Sequence, residues 1–216
     1  YAPRCAERVG RVHVWVPEAL KRLVAAAPGV ATVVDHPDAF DAHLPMMSLP
    51  GVFGDSLETI PSAPYLGSAN SSGPLRNLGL AWTGSGKQPL DRRSVPLEEL
   101  APLWDVPGVT WHSLQVDAKE DLEATPLRDR AGELKDFAAT TEVMAELDGV
   151  VCVDSAVAHL AGALGVRSWV LLSFAPDWRW GREGNSSPWY PSLTLVRQQY
   201  GENWATVAKR LATVFH

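Results

Sequence analysis

The feature that most constrains this chain is a strand-helix-strand passage in its last third. GVVCVD at 149–154 is followed by SAVAHLAGAL, then Gly165, then VRSWVLLS at 166–173. A strand wetted on one face alternates apolar and polar side chains, so a run as apolar as GVVCV belongs to a strand buried on both faces of a parallel sheet. The segment between reads as a helix, with Asp154 or Ser155 as its N-cap and Gly165 at the favoured position just past its last turn.

The same alternation extends through the chain. RVHVWV at 11–16 reads as a strand, Pro17 suits the first position of a helix over EALKRLVAAA, and VATVV at 30–34 reads as a second strand. That β-α-β unit should place its two strands parallel. DAHLPMMSLPGVFG reads as a short strand with a loop or a single helical turn. From Thr59 to Pro74 the chain is rich in Pro, Ser, Gly and Asn without apolar periodicity, which reads as a linker. Beyond it, LGLAWT at 78–83, GVTWHSLQ at 108–115 and SLTLVRQ read as strands. PLEELAPLW at 96–104, ATTEVMAELD at 139–148 and the C-terminal ENWATVAKRLATVF read as helices. The pattern predicts a doubly wound α/β protein in two unequal lobes, residues 1–74 with the linker and residues 75–216.

Composition excludes several classes of function. Net charge is −6 with no basic stripe, whereas a nucleic-acid binder needs clustered Lys and Arg to displace counterions, so no nucleic-acid partner is expected. No apolar run reaches the roughly 18 to 20 residues of a membrane span, and no secretory signal is visible. Two cysteines make no disulfide framework, and Cys152 inside VVCVD reads as a small buried hydrophobe; a reducing, cytoplasmic setting is predicted. The histidines lack metal-ligand spacing, and neither G-x-S-x-G nor G-x-G-x-x-G is present, so metal, hydrolase and redox chemistry are disfavoured and no cofactor is expected.

Ligands of open α/β sheets bind beyond the carboxyl ends of the strands, which directs attention to three junctions. At V-C-V-D-S-A-V-A-H, small residues leave the amides of Ser155, Ala156 and Val157 open to an anion favoured by the helix dipole. Ser155 adds a hydroxyl, and His159 stands one turn on along roughly the same face. The same residues also fit an ordinary capped helix with His159 packed in the core. At W-T-G-S-G-K, which is not a Walker A loop, Thr83, Lys87, Arg92 and Arg93 could clamp a diphosphate and stabilise a leaving group, or could line a solvated loop. At H-S-L-Q, Ser113 and Gln115 could hydrogen-bond a base or ribose. A fourth segment, FAPDWRWGREGNSSPWYPS, gathers Asp177, Trp178, Arg179, Trp180, Arg182 and Trp189, suited to sugar rings and phosphate. Nine tryptophans are many for 216 residues, and core packing is the reading for Trp104, Trp111, Trp169 and Trp204.

These segments resemble the heptosyltransferase family, glycosyltransferase family nine, and most of all the transferase domains that follow bacterial tetratricopeptide repeats. The carrying strings are GLAWTGSGKQPLDRRSVPLEELAPL, TWHSLQ, DFAATTEVMAELDGVVCVDSAVAHLAGALG and SFAPDWRWGREGNSSPWYPSLTLVRQ, over about 79–199. VWVPEALKRLVAAAPGV and HLPMMSLPGVFGDSLETIP match more loosely. The resemblance implies a GT-B-like architecture of two Rossmann-like lobes, with a nucleotide-diphosphate sugar as substrate in the second. It also implies no catalytic metal and a glycan, lipid-linked or protein acceptor. It implies that Lys87 contacts donor phosphate, that Asp154, Ser155, Ala156 and His159 line the phosphate and sugar site, and that Gln115 lies near the base. The family's catalytic base sits on a glycine-rich turn before the first long helix. That turn is not in this sequence, which predicts an incomplete first lobe and leaves the catalytic residue unassigned. Two further readings follow: a nucleotide-sugar-binding or partner-binding module without transfer activity, and a sugar-nucleotide epimerase.

Overall fold

The computed structural model describes residues 1–36, 39–67, 73–84 and 92–215. A first helix, α1 (Ala2–Val9), precedes a small parallel unit of β1 (His13–Trp15), α2 (Glu18–Ala25) and β2 (Thr32–Val34), in which His13 pairs with Thr32 and Trp15 with Val34. The short helix α3 (Leu49–Phe53) follows a 3-10 turn at Met46–Ser48, where a short strand was one of the expectations. The second sheet is built from β3 (Asn77–Ala81), β4 (Thr110–Ser113), β5 (Arg128–Asp129), β6 (Gly149–Val153), β7 (Ser168–Leu172) and β8 (Leu193–Arg197). Helices α4 (Phe137–Met144), α5 (Ala156–Leu164) and α6 (Trp204–Ala212) lie between or after these strands. Both sheets are parallel throughout, as expected for the α/β class.

The second sheet has the order β5-β4-β3-β6-β7-β8. The chain winds outward from β3 through β4 to β5, returns to place β6 on the other side of β3, and winds outward again through β7 to β8. This is the doubly wound order with its reversal between β3 and β6, and a crevice forms where the chain leaves those two strands in opposite directions. β6 shows why its sequence is apolar throughout. Val150 and Cys152 face the core under α4 and α5, while Val151 and Val153 face the core that holds Trp82, Trp111, Trp169 and α6. Both faces are covered, so no position tolerates a polar side chain.

Three local differences from the sequence reading have physical causes. The segment Leu97–Leu103 is a 3-10 helix rather than an α-helix, because Pro102 lacks the amide and its ring would collide with a carbonyl one α-turn earlier. β5 was not expected: it is two exposed residues at the sheet edge, too short to carry a period. α1 buries none of its residues and is held through polar contacts, with Arg4 and the Tyr1 hydroxyl on Asp55 at 2.7 and 2.8 Å.

The small first unit is fastened to the larger sheet through α2. Leu23 enters the core beside α4, and Arg22 reaches Asp136 at 3.4 Å and Glu142 at 3.1 Å. The returning chain is fixed to α5, where the amides of Tyr65 and Leu66 both donate to the Ala163 carbonyl. Gly165 ends α5 at φ 74°, and a side chain there would meet Pro64 as well as strain the backbone.

Candidate functional site

The two strands at the reversal end in Ala81 and Val153, so the residues after them define the site. Trp82 is fully buried and its indole donates to Glu120 at 3.1 Å, which anchors the start of the loop after β3. The next two amides are held by side chains: Thr83 N donates to Gln115 Oε1 at 3.1 Å, and Gly84 N to Ser94 Oγ at 3.0 Å. Gln115 and the buried Ser113, whose hydroxyl accepts from Gln115 N at 3.3 Å, therefore shape this loop from the end of β4. Lys87 lies outside the described residues. Arg92 and Arg93 precede Val95, whose amide donates to the Trp82 carbonyl at 2.8 Å.

After β6, Asp154 is buried and Ser155 is the N-cap of α5, its backbone extended at φ −148° and ψ 176°. In that conformation a serine oxygen usually accepts from an amide of the first turn. Here it does not: Ser155 makes no capping bond, and its Oγ is buried without a partner among the described residues. Ala156 is exposed beside it.

A cavity of about 280 Å³ opens at this end of the sheet. Leu171 and Leu172 of β7 form its apolar part, with Ser173, Ala175 and Pro176 beyond them; Asp154, Asp177, Arg92, Arg93 and Arg179 supply its charge. Arg179 is fixed from several directions. Asp177 caps the 3-10 turn Trp178–Trp180 by accepting from Arg179 N at 3.1 Å and pairs with Arg179 Nε at 2.9 Å, while the Trp189 indole donates to the Arg179 carbonyl at 2.9 Å. Trp180 is 1% exposed and Trp178 69% exposed, so the three loop tryptophans play different parts. Trp104, Trp111, Trp169 and Trp204 pack in or against the core beneath α6.

His159 stands behind the cavity rather than on its wall. Its ring stacks on Trp180 with centroids 5.4 Å apart at 20°, its Nε2 is 3.4 Å from Arg179 Nη1, and its Nδ1 is 3.1 Å from Tyr190 Oη. Burial, and next the Arg179 charge, pushes the imidazole below its usual range, with Asp154 and Asp177 opposing. Arg92, Arg93, Asp154, Asp177 and Arg179 are thus gathered at one cavity, with Ser155 adjacent, while Thr83, Ser113 and Gln115 hold the neighbouring loop and Trp178 points to solvent. Ser173 and Tyr190 were not singled out from sequence. The rule of strand carboxyl ends reaches Ser173; no local signal pairs Tyr190 with a histidine 31 residues earlier.

No group of three or more His, Cys, Asp or Glu among the described residues could hold a metal ion, and no helix among them is long and apolar enough to cross a membrane.

A doubly wound parallel sheet with a cationic cavity at its reversal, joined to a second parallel unit, is the architecture of GT-B-like proteins. The E. coli heptosyltransferase WaaC with ADP superposes with a TM-score of 0.50 at 14% identity, over 67% of this chain and 46% of that one, which shows the shared fold. Residues 118–212 match the profile described as glycosyltransferase family 9 (heptosyltransferase). Protein FlbA of Caulobacter vibrioides is 30% identical over 152 residues, 65% of this chain but 25% of that protein, so the chain spans about a quarter of the length of this curated relative.

Proposed function

We propose that the chain binds a nucleoside-diphosphate sugar in the cavity beyond β6 and β7 and serves its transfer to an acceptor hydroxyl. The observation that carries this reading is the convergence of Arg92, Arg93 and Arg179 on a cavity beside Asp154 and the uncapped start of α5. A diphosphate is the ligand that needs both fixed cations and free backbone amides, and a helix N-terminus offers the second. The match of residues 118–212 to the glycosyltransferase family 9 profile supports the same class.

In the transfer step the acceptor oxygen attacks the anomeric carbon and passes its proton to a general base, a role to which no residue of the cavity is assigned. The bond from that carbon to the β-phosphate oxygen breaks, and its electron pair leaves with the diphosphate. The growing charge on that leaving group falls among the three guanidinium groups, the first amides of α5 and the Ser155 hydroxyl, of which Arg179 is already oriented by Asp177. Lys87, five positions before Arg92 in the sequence, is proposed to join them, and Gln115 to lie near the base. Because these groups neutralise the leaving group, transfer is proposed to proceed without a metal ion, with turnover unchanged by a chelator. Residues 75–216 act as the donor lobe and 1–74 as part of the acceptor side, toward a glycan, lipid-linked or protein acceptor. The free thiols of Cys5 and Cys152 accord with a cytoplasmic setting.

The test is a calorimetric titration of the 216-residue chain with UDP, GDP, ADP, CDP and dTDP, repeated with Ser155→Trp. The expected result is selective binding of one diphosphate, lost when the indole covers the helix start. Equal affinity in the substituted chain would remove α5 from the site.

A further inference from the structure

The contacts around His159 fix where its proton sits. Arg179 Nη1 lies 3.4 Å from His159 Nε2, and a guanidinium has donors and no acceptor, so Nε2 must present its lone pair. The ring proton then resides on Nδ1, which donates to Tyr190 Oη at 3.1 Å. Burial, and next the neighbouring Tyr65, pushes the Tyr190 phenol well above its usual range, so its hydroxyl stays protonated. The donors point one way, from Arg179 through His159 to the Tyr190 hydroxyl.

Packing holds this relay in register. The imidazole is stacked on Trp180 and meets the edge of Tyr190 with centroids 5.7 Å apart at 62°. Tyr190 in turn lies flat against α5 at Gly162, where a Cβ would fall 2.3 Å from Tyr190 Cγ, so the tyrosine reaches the histidine only because residue 162 has no side chain. Burial and the neighbouring Arg179 both disfavour a charged imidazole, in keeping with a neutral ring that accepts from the arginine.

Resting on the donor-site reading above, we infer that His159 and Tyr190 are positioning residues: a neutral, Nδ1-protonated His159 held by Tyr190 aims the Arg179 guanidinium into the cavity for the donor's diphosphate. His159 thereby acts through Arg179 and does not itself contact phosphate. The inference separates two roles that a histidine one turn into a phosphate-binding helix could play, as a cationic ligand or as a neutral acceptor. Only the second uses the phenol behind it.

Two measurements on the full chain test it, and the first needs no nucleotide. Long-range ¹H–¹⁵N correlation spectra at pH 7, with His159 assigned by loss of its signals in His159→Gln, should show a neutral ring protonated on Nδ1. Tyr190→Phe should shift that ring toward the Nε2-protonated form without loss of fold. An imidazolium, or an Nε2–H ring in the unsubstituted chain, overturns the proposal. The second is titration with the nucleoside diphosphate that binds the chain. Tyr190→Phe should weaken it about five- to tenfold and His159→Leu at least as much, while His159→Gln, which keeps an acceptor for Arg179, should stay within about threefold. Equal losses in His159→Gln and His159→Leu, or an unchanged affinity in Tyr190→Phe, also overturn it. If the unsubstituted chain binds no diphosphate, the donor reading fails, and the spectrum alone decides the tautomer and the relay.

Discussion

Two helices of the second sheet start from nearly the same backbone and use it differently. At α4, Asp136 is extended at φ −155° and ψ 177°, and its carboxylate accepts from Ala139 N at 2.7 Å, closing the helix with its own side chain. At α5, Ser155 is extended at φ −148° and ψ 176°, yet its hydroxyl makes no capping bond. α4 packs toward the first unit, where Arg22 pairs with the capping carboxylate. α5 opens toward a cavity lined by Arg92, Arg93 and Arg179 together with Asp154 and Asp177. A closed helix start is a structural joint. An open one beside fixed cations is a place where an anion completes the electrostatics.

The most severe way to break this contrast is to give α5 the cap of α4. Ser155→Asp places a carboxylate where it can accept from the first-turn amides and repel an incoming diphosphate. Diphosphate affinity should fall on the order of a hundredfold, while the thermal midpoint holds or rises, since an N-cap aspartate stabilises a helix by up to ~1 kcal/mol. Retained affinity in a calorimetric titration would show that the helix start is not used.

The arginines offer the next comparison. Arg179→Ala removes a charge-assisted donor fixed by Asp177, and about 1.5–3 kcal/mol, or ten- to a hundredfold in affinity, should go with it. Arg22→Ala deletes two ion pairs of a largely exposed guanidinium, so stability should change by no more than ~1 kcal/mol and affinity not at all. If the two substitutions weakened binding equally, the cavity would not be the site.

A smaller effect separates the caps by stability alone. Asp136→Ala should cost about 1 kcal/mol, a fall of about 2–4 °C in thermal midpoint for a chain of this size, with diphosphate affinity within twofold. Ser155→Ala should leave the midpoint unchanged, because the Ser155 hydroxyl caps nothing, and should weaken the diphosphate severalfold.

Much of this architecture can be read from the sequence because few structures satisfy its strongest signals. An apolar strand such as β6 has to be covered on both faces, Gly165 marks a helix end, and the strand carboxyl ends lead to Asp154, Ser155, Arg92 and Arg93. Other parts carry no periodic signal. β5 is two exposed residues, α1 has no core face, and Leu97–Leu103 shows helical spacing that Pro102 turns into a tighter coil. Trp178 and Trp180 are two positions apart in one loop, and only tertiary packing, in the core and on His159, makes one buried and the other exposed. The Tyr190 contact depends on the bare surface of Gly162, a tertiary fact with no local trace.

The smallest expected effect concerns acid, and it divides α5 from the rest of the sheet. His159 and His112 both titrate below the ordinary histidine range, each chiefly through burial and next through a neighbouring arginine, Arg179 for one and Arg130 for the other. In the unfolded chain both return to about 6.5. As pH falls through that value the unfolded state takes up protons that the folded state refuses, so stability declines, and the decline levels off once the folded rings are themselves protonated. Urea unfolding at a series of pH values between 7.5 and 5 should show this loss. His159→Gln and His112→Gln should each remove part of it. Only the first should also flatten the acid dependence of diphosphate affinity, because only His159 protonation would set a second cation against Arg179 and displace its guanidinium. A parallel flattening by His112→Gln would place the acid sensitivity in the sheet as a whole and dissolve the distinction between the open helix and its closed neighbour.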